Sequence, residues 1–290
     1  MEYLLKDAYD LHIHCGPDII PRSVTALEMA ERAINRGMRG FAIKSHYSPT
    51  SLQAAAVREC YPNCNAIGSI TLNASVGGPN PLAVETSARM GARIVWCPTF
   101  DSASQQAYYL KHLPQYIEMQ KKLISGGKPS PSYYLLNDDG ELCEEIKYVF
   151  DVVQAYDLLF ATGHITHKEA FALAKEAKRR NFKKLLITHA DWEFTHYTVE
   201  EQMELVSLGA WIEHSYTSPA EGYVAWEKVA EEIRRVGPEH CIITTDLGKN
   251  NGVFPDDGLY DYVRRLLEMN FSEPELSVML CQNPAFLVEF

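Results

Sequence analysis

Short apolar segments alternate with amphipathic helical patterns along this chain, and that alternation constrains its fold more than any other feature. The segments are rich in Ile, Val, Phe and Leu, and each ends in polar residues. Runs of this length and composition are typical of parallel strands that are covered on both faces. The eight segments span residues 9–14, 40–46, 65–73, 93–99, 158–164, 184–189, 209–214 and 241–246.

Helical patterns fill the intervals between these segments. The patterns at residues 24–36 and 81–90 stop at Gly37 and Gly91, and a glycine just past a helix can take the positive φ that ends it. Four more patterns cover residues 168–180, 199–208, 223–236 and 258–269. Eight strands alternating with helices in 290 residues predict an α/β protein of the (β/α)8 or TIM-barrel class, a single domain over residues 1–290.

One interval breaks the alternation. About 60 residues separate the fourth strand from the fifth, where roughly 25–30 suffice elsewhere. Within this insertion, at about residues 101–145, the sequence predicts a long helix over 105–124 and a hairpin with a D-G turn over 133–143. We expect the helix-plus-hairpin insertion to be a lid or an oligomer contact at the strand ends, with surface decoration as the alternative.

Composition excludes several classes of protein. Acidic residues exceed basic ones by 38 − 27 = 11 and no Lys/Arg run occurs, so no nucleic-acid partner is expected. The apolar stretches are only strand-sized and the first ten residues are no secretory signal, so we expect no membrane association. Seven scattered cysteines without a C-x-x-C pair favour free thiols and a cytoplasmic location.

Histidines concentrate at the predicted strand ends, together with Lys44 and Asp246. About one histidine would be expected there by chance. Those found are His12, His14, His46, His164, His189 and His214. Because active sites of such barrels are built at the carboxyl ends of the strands, these residues predict an active site at that end.

Side-chain alternation indicates which residues face the barrel interior. It places His12 and His14 on one face of the first strand, with Leu11 and Ile13 on the other. Two imidazoles at this spacing can both reach one cation at about 2.0–2.1 Å. Imidazoles combined with a carboxylate suit zinc, manganese or iron better than calcium or magnesium.

On the second strand, alternation places Lys44 and His46 on the inward face, while Phe41 and Ile43 point towards the helices. Lys44 is the only inward lysine predicted at the strand ends. A lysine without solvent near a metal should have a depressed pKa, which suits proton transfer.

The pattern as a whole resembles the amidohydrolase superfamily of metal-dependent hydrolases, and the resemblance covers nearly the whole chain. The matching residues are His12 and His14 in DLHIH, His164 in ATGHITH, His189 in LLITHAD and Asp246 in ITTDLG. The NPAFL segment at residues 283–287 is similar to one that often ends these barrels. The resemblance implies a divalent metal, zinc or else manganese or iron, bound by those five residues.

The end of the fourth strand departs from the superfamily pattern. Binuclear members usually place a carboxylated lysine or a glutamate there to bridge two metals, whereas this chain has Trp96-Cys97-Pro98-Thr99. The sequence is therefore compatible with a centre of one metal ion or of two. Lys44 could be a displaced bridging carbamate, a cationic clamp on the substrate or an acid for the leaving group.

The resemblance also implies a mechanism. Asp246 would orient a metal-activated water molecule, accept its proton and pass it to the leaving group. Lys44 or His46 would stabilise the oxyanion, and His189 would be a further ligand or a catalytic neighbour. We expect hydrolysis of a C–N or C–O bond, in an amide, cyclic amide or lactone, of a small polar substrate.

Three alternatives stay open. A phosphoesterase is one, although Asp18 and Arg22 do not complete the metal set that related H-x-H barrels need. A lyase or decarboxylase with one metal is the second, and the absent strand-four bridge favours it. A metal-storing or ligand-binding barrel without turnover is the third.

Loop residues beyond the strands could shape a substrate pocket. The candidates are Asn73, Thr99, Trp192 and His214, although alternation turns only one of Glu213 and His214 inward. Aromatic residues of the insertion could bury against a second copy of the chain, which would make a homo-oligomer. These are Tyr108, Tyr109, Tyr116, Tyr133 and Tyr134.

Overall fold

A computed structural model describes residues 2–115, 117–118 and 131–289. Its eight strands are parallel and lie in one sheet in the chain order β1 to β8. The predicted (β/α)8 barrel is therefore confirmed. The strands are β1 (Tyr9–Ile13), β2 (Gly40–Ile43), β3 (Asn65–Thr71), β4 (Ala92–Trp96), β5 (Leu159–Ala161), β6 (Leu185–Ile187), β7 (Ala210–Ser215) and β8 (Cys241–Thr244).

Hydrogen bonds between β1 and the residues that follow β8 close the barrel. The Asp246 N–H donates to the His12 carbonyl at 2.7 Å, and the His14 N–H donates to the Leu247 carbonyl at 2.8 Å. Ile13 and Leu247 form a parallel bridge at the same place. The seam of the barrel thus brings together residues that are more than 230 positions apart.

Helices follow the strands and cover the outside of the barrel. They are α1 (Ala26–Asn35), α2 (Ser51–Cys60), α3 (Pro81–Arg89), α4 (Ala103–His112), α5 (Glu144–Ala155), α6 (His167–Arg179), α7 (Val199–Ser207), α8 (Thr217–Ala220), α9 (Trp226–Val236), α10 (Pro255–Glu268), α11 (Glu273–Ser277) and α12 (Asn283–Val288). The helical patterns in the sequence missed α2 and α5, and also the short helices α8, α11 and α12. None of the helices in the described ranges is long and apolar enough to span a bilayer.

Local sequence explains where several helices begin and end. Thr25 before α1 and Thr166 before α6 each form a capping box with a glutamate three residues on. Such a cap contributes about 1 kcal/mol by satisfying free N–H groups of the first turn. After α1, Gly37 has a φ of +71°, as predicted.

Two apolar layers pack on opposite faces of the sheet. Inside the barrel lie Tyr9, Leu11, Ile67, Ile94, Leu186 and Ile242, and outside lie the helix-facing residues. Leu287 of α12 joins the inner cluster, so the NPAFL segment packs at the amino-terminal end of the strands. The barrel interior is therefore apolar near the amino-terminal ends of the strands, and polar side chains lie at the carboxyl ends. We call the carboxyl end of the barrel the mouth.

The position of Leu11 corrects a prediction. Leu11 packs inside the barrel, whereas Ile13 belongs to the outer layer, so the two do not share a face. The register between β1 and β2 shifts between Asp10 and Ile13. An irregularity of this kind adds a residue on one strand and resets the alternation, which lets Leu11 and His12 both face inwards.

The segment between β4 and β5 differs from the predicted helix. Helix α4 ends at His112, because Leu113 precedes Pro114 and a residue before proline disfavours the helical conformation. Residues 114–115 and 117–118 are again helical, whereas Tyr116 and residues 119–124 of the predicted helix lie outside the described residues. In the predicted hairpin, an antiparallel bridge joins Leu136 to Leu142, and the Asn137 N–H donates to the Glu141 carbonyl at 2.8 Å.

Candidate metal centre

Histidines from several strand ends meet at the mouth. His12 lies within β1 and His14 one residue beyond it, while His164 and His189 follow β5 and β6. Asp246 lies two residues past β8. The four histidines are at most 5% exposed, so their imidazoles are almost completely removed from water.

His12, His14 and Asp246 form the tightest group. Oδ1 of Asp246 lies 3.0 Å from Nε2 of His12 and 3.1 Å from Nε2 of His14. Ligand atoms that share one zinc ion at about 2.0–2.1 Å lie roughly this far from each other. The three side chains therefore offer three ligand atoms to a single cation.

Hydrogen bonds at the opposite ring nitrogens orient both imidazoles. Nδ1 of His12 donates to Oε1 of Glu213 at 2.9 Å, and Nδ1 of His14 donates to the Lys44 carbonyl at 2.8 Å. Both partners only accept, so the proton of each neutral imidazole resides on Nδ1 and the lone pair of Nε2 faces Asp246. Three acceptor atoms at contact distance repel one another unless a proton or a cation lies between them, and a divalent metal ion fits this arrangement.

His164 is prepared in the same way by the segment after β4. Its Nδ1 hydrogen-bonds to Oε1 of Gln105, on α4, and its Nε2 is buried without a hydrogen-bond partner among the described residues. A buried imidazole nitrogen without a partner is costly unless something absent from the protein chain binds it. Gln105 is completely buried and was not anticipated from the sequence.

His189 and Asp246 both have strained backbones, with φ angles of +51° and +53°. Non-glycine residues are rare in this region and cluster at functional sites. The backbone N–H of His189 donates to Oε2 of Glu213 at 3.0 Å. Nε2 of His189 lies 4.0 Å from Oδ2 of Asp246, so His189 lies beside the three-residue group.

Glu213 connects the two parts of the centre. It is completely buried, accepts from His12 and from the backbone of His189, and also accepts from the Thr244 hydroxyl at 2.8 Å. Burial alone would raise the pKa of Glu213, but the facing His12, His189 and Lys44 lower it to about 2. His12, His189 and Glu213 also lie close enough together to share a metal ion.

The pKa shifts of the histidines differ within this centre. Burial lowers the pKa of His14 to about 3 and that of His189 to about 4, so both imidazoles are neutral near pH 7, as metal binding would need. Burial and Lys44 would also lower the pKa of His12, but Asp246 and Glu213 outweigh them and raise it. Positive charge is therefore attracted to Nε2 of His12.

Lys44 reaches the centre from the end of β2. Its Nζ lies 2.9 Å from Nε2 of His12 and 4.5 Å from the centroid of the Trp96 ring. Burial lowers the pKa of Lys44 to about 8, although Asp246 and Glu213 act in the opposite direction. Lys44 can therefore donate or accept a proton near neutral pH. Trp96 itself packs against His12, with 4.6 Å between ring centroids.

His46, Asn73 and Thr99 form a separate group after β2, β3 and β4. Nδ1 of His46 lies 2.8 Å from the Thr99 hydroxyl oxygen. The Asn73 amide donates to that hydroxyl at 2.7 Å and to the His46 carbonyl at 2.9 Å. The His46 ring stacks on His14 at a centroid distance of 5.0 Å, so this group borders the metal centre.

Of the other two predicted pocket residues, only one reaches the mouth. The Trp192 ring lies 5.1 Å from His164 and 5.4 Å from His189, as centroid distances. His214 is a correction: it is completely buried on the outer face of β7, with its Nδ1 3.5 Å from Asp191. Since neighbouring residues of a strand face opposite ways, Glu213 takes the inward position instead.

The tyrosines predicted to contact a second copy have different environments. Tyr109 is buried within the chain itself, whereas Tyr134 is 68% exposed. Tyr108 stacks on His112 and contacts Phe194 near the mouth. A homo-oligomer stays a prediction.

Solved structures with the same architecture include several enzymes. A probable dipeptidase, PvdM, from Pseudomonas aeruginosa is 12% identical with a TM-score of 0.66, and the alignment covers 99% of this chain and 95% of that one. An amidohydrolase from the same organism is 11% identical with a TM-score of 0.62, at 99% and 96% coverage. A 2,6-dihydroxybenzoate decarboxylase from Rhizobium is 11% identical with a TM-score of 0.60, at 97% and 98% coverage.

At such low identity these likenesses establish the fold alone. A search of curated proteins finds no match. A family model matches residues 7–213, which include β1 to β6 and most of β7, together with every candidate ligand except Asp246. The chain therefore belongs to the family described as "Family of unknown function (DUF6282)".

Proposed function

We propose that this protein is a metal-dependent enzyme of the amidohydrolase superfamily that hydrolyses a C–N or C–O bond of a small polar molecule. The observation that carries the proposal is the convergence of two imidazole Nε2 atoms on one carboxylate oxygen. Nε2 of His12 and of His14 both lie within 3.1 Å of Oδ1 of Asp246, and each ring is held by an acceptor at Nδ1. The solved dipeptidase and amidohydrolase structures of the same fold support this choice.

His12, His14, His164 and Asp246 would hold the ion, with His189 beside them. Zinc is the first choice because three imidazoles and one carboxylate suit it, and manganese or iron are alternatives. A bound divalent ion in this position supplies polarisation of a substrate oxygen and acidification of a water molecule. All other parts of the mechanism are assigned to side chains of this chain.

Asp246 is the proposed proton carrier. Its Oδ1 faces the two imidazoles, whereas its Oδ2 lies 3.4 Å from the Thr217 hydroxyl and 4.0 Å from His189. Oδ2 can therefore take the proton of the attacking water molecule and deliver it to the leaving nitrogen or oxygen. The water oxygen joins the acyl carbon as the bond to the leaving group breaks.

Lys44 and His46 are proposed to stabilise negative charge on the substrate. Lys44 contacts His12 directly, and its lowered pKa of about 8 leaves it mostly charged at pH 7. A buried cation that is already in place stabilises a developing oxyanion without reorganisation. Trp96 covers this part of the site and keeps solvent away from Nζ.

A one-metal lyase or decarboxylase is the second candidate. The end of β4 presents the Trp96 ring to Lys44 and His12 instead of a lysine or glutamate that could bridge two ions. A single ion that binds a carboxylate substrate, with Lys44 or Asp246 delivering a proton to the carbon that loses CO2, would use the same residues. The solved decarboxylase structure of the same fold supports decarboxylation as the second candidate reaction.

Metal content of the purified chain tests the proposal first. We expect near one equivalent of zinc, manganese or iron by plasma mass spectrometry, lost in His12→Ala and in Asp246→Ala. His240→Ala is the matched control, because the His240 side chain is half-exposed and His240 directly precedes β8, at the opposite end of that strand from the mouth. Near two equivalents would assign Lys44 as an unusual bridge, and no metal, even after incubation with each ion, would refute the proposal.

A substrate panel then separates the reactions. Cyclic amides, lactones and p-nitrophenyl esters test hydrolysis, p-nitrophenyl phosphate tests phosphoester cleavage, and aromatic carboxylic acids with CO2 detection test decarboxylation. Activity that depends on the metal and on Asp246 in the first group is the expected result. Activity only on the carboxylic acids would replace hydrolysis with the second candidate.

A further inference from the structure

His46 is surrounded differently from the candidate metal ligands. The Nδ1 atoms of His12, His14 and His164 face oxygens that only accept, namely a carboxylate, a backbone carbonyl and an amide oxygen. Nδ1 of His46 faces a hydroxyl, Oγ1 of Thr99, which can either donate or accept. The position of the proton on His46 therefore depends on what else binds that hydroxyl.

Asn73 settles the direction of this hydrogen bond. Its Oδ1 accepts from the backbone N–H of Thr99 at 2.8 Å and from that of Asp101 at 3.3 Å, so the orientation of the amide is fixed. Both protons of its Nδ2 are then used, one on the His46 carbonyl and one on Oγ1 of Thr99. The Thr99 hydroxyl accepts from Asn73 and keeps its own proton to donate.

Among the described residues, Nδ1 of His46 is the remaining acceptor for that proton. Thr99 has no solvent exposure, so water cannot take the proton instead. If His46 carried its proton on Nδ1, the imidazole N–H and the hydroxyl O–H would face each other, and one of them would stay unsatisfied in a buried place. A neutral His46 therefore has its proton on Nε2.

The Nε2–H of His46 lies at the mouth. The ring stacks on His14, lies 6.1 Å from His164 between centroids, and is covered on one side by Phe100 at 4.2 Å. Nε2 forms no hydrogen bond with any residue that the structure describes. A molecule bound at the metal centre would be next to this donor.

We propose that Asn73 and Thr99 fix His46 as a hydrogen-bond donor to the substrate, which selects a compound with an acceptor oxygen, a carbonyl or a carboxylate, beside the scissile bond. This inference rests on the proposed function, because it places the substrate at the metal centre. Asn73 and Thr99 are positioning residues, and His46 contacts the substrate. His46 thus has the opposite hydrogen-bond polarity from the neighbouring imidazoles, although all of them lie at or near strand ends.

The tautomer of His46 can be read directly and without turnover. In protein labelled with 15N-histidine, long-range 1H–15N correlation spectra distinguish a ring protonated on Nε2 from one protonated on Nδ1. The His46 signals are assigned by their loss in His46→Gln, and spectra are recorded for the metal-free and the zinc-loaded chain. We expect Nε2–H for His46 in both, and a proton on Nδ1 in the wild-type chain would overturn the proposal.

Thr99→Val tests the positioning role. Valine has nearly the shape of threonine but no hydroxyl, so the preference for Nε2–H should weaken and signals of the Nδ1–H form should appear. Thr86→Val is the matched control, because the Thr86 hydroxyl only contacts the Leu82 carbonyl on an exposed face of α3. A His46 spectrum unchanged in Thr99→Val would mean that Thr99 does not set the tautomer.

Acetate serves as a probe with acceptor oxygens. We expect it to bind the zinc-loaded chain with a shift of the His46 Nε2 signal, and to bind His46→Leu about tenfold more weakly. His46→Gln, which keeps an N–H donor, should recover part of that loss. Equal affinity in wild type and His46→Leu would refute the donor role. A wild-type chain that binds none of zinc, manganese and iron would instead refute the proposed function and leave the tautomer result to stand.

Discussion

The two sides of the barrel mouth use histidine in opposite ways. On the side formed by β1, β5 and β8, acceptors at Nδ1 of His12, His14 and His164 leave Nε2 free as a ligand atom. On the side formed by β2, β3 and β4, a hydroxyl at Nδ1 of His46 leaves Nε2 as a donor. We call these the ligand side and the donor side. The comparison teaches that the partner of the second nitrogen, rather than the position on the strand, decides what a buried imidazole can do.

The largest expected effect is on the ligand side. Asp246→Asn should lower turnover at least about 100-fold, because an amide cannot take the proton of the attacking water. The fold should survive, since asparagine tolerates the left-handed backbone that Asp246 adopts at φ +53°. The loss of activity is measured as turnover on the substrate found in the panel, and the fold is checked by far-ultraviolet circular dichroism. Activity within tenfold of wild type would contradict the role of Asp246.

Glu213→Gln should weaken zinc binding by about 10–100-fold. The glutamine amide can turn an N–H towards His12, which removes the acceptor that keeps the His12 proton on Nδ1. Competition with a fluorescent zinc chelator measures the affinity. Glu204→Gln on the exposed face of α7 is the matched control. Equal zinc affinities in the two variants would show that Glu213 does not hold His12 in its ligand form.

Gln105→Leu should weaken zinc binding by about tenfold, a smaller loss because a single ligand becomes free to rotate. Gln105 is what orients His164, and it comes from the segment between β4 and β5. Gln106→Leu is the neighbouring control, since the Gln106 amide donates to the Pro131 carbonyl and to Asp101 and contacts none of the candidate ligands. If Gln105→Leu bound zinc like wild type, His164 would not belong to the ligand side.

The smallest expected effect is on the donor side. His46→Ala should change zinc affinity by no more than about twofold, whereas His14→Ala, its stacked neighbour, should reduce it by well over about tenfold. The same chelator competition compares the two variants. A comparable loss of zinc affinity in both variants would contradict the distinction between the ligand side and the donor side. His46 would then be a metal ligand.

Much of this architecture could be predicted from the sequence because the relevant signals are periodic. All eight strands were expected, and their ends bring His12, His14, His164, His189 and Asp246 to one end of the barrel. The prediction failed where a local irregularity reset the period, as at Leu11, and where proline ended α4 at His112.

The partners of the histidines could not be predicted, since they come from distant parts of the chain. Glu213 is 201 residues from His12, and Gln105 is 59 residues from His164. No spacing in the sequence connects such pairs. Choosing between Glu213 and His214 for the inward position of β7 likewise required the register of the closed sheet.

The sequence by itself determined that the chain forms a barrel and that its imidazoles gather at the carboxyl ends of the strands, because burial and strand periodicity are local properties of the chain. Only the tertiary structure decided which nitrogen of each imidazole faces the mouth. That choice depends on whether a carboxylate, a carbonyl or a hydroxyl lies within hydrogen-bonding distance of Nδ1. Closure of the barrel brings those groups together, and for that reason we propose His12 as a ligand and His46 as a donor.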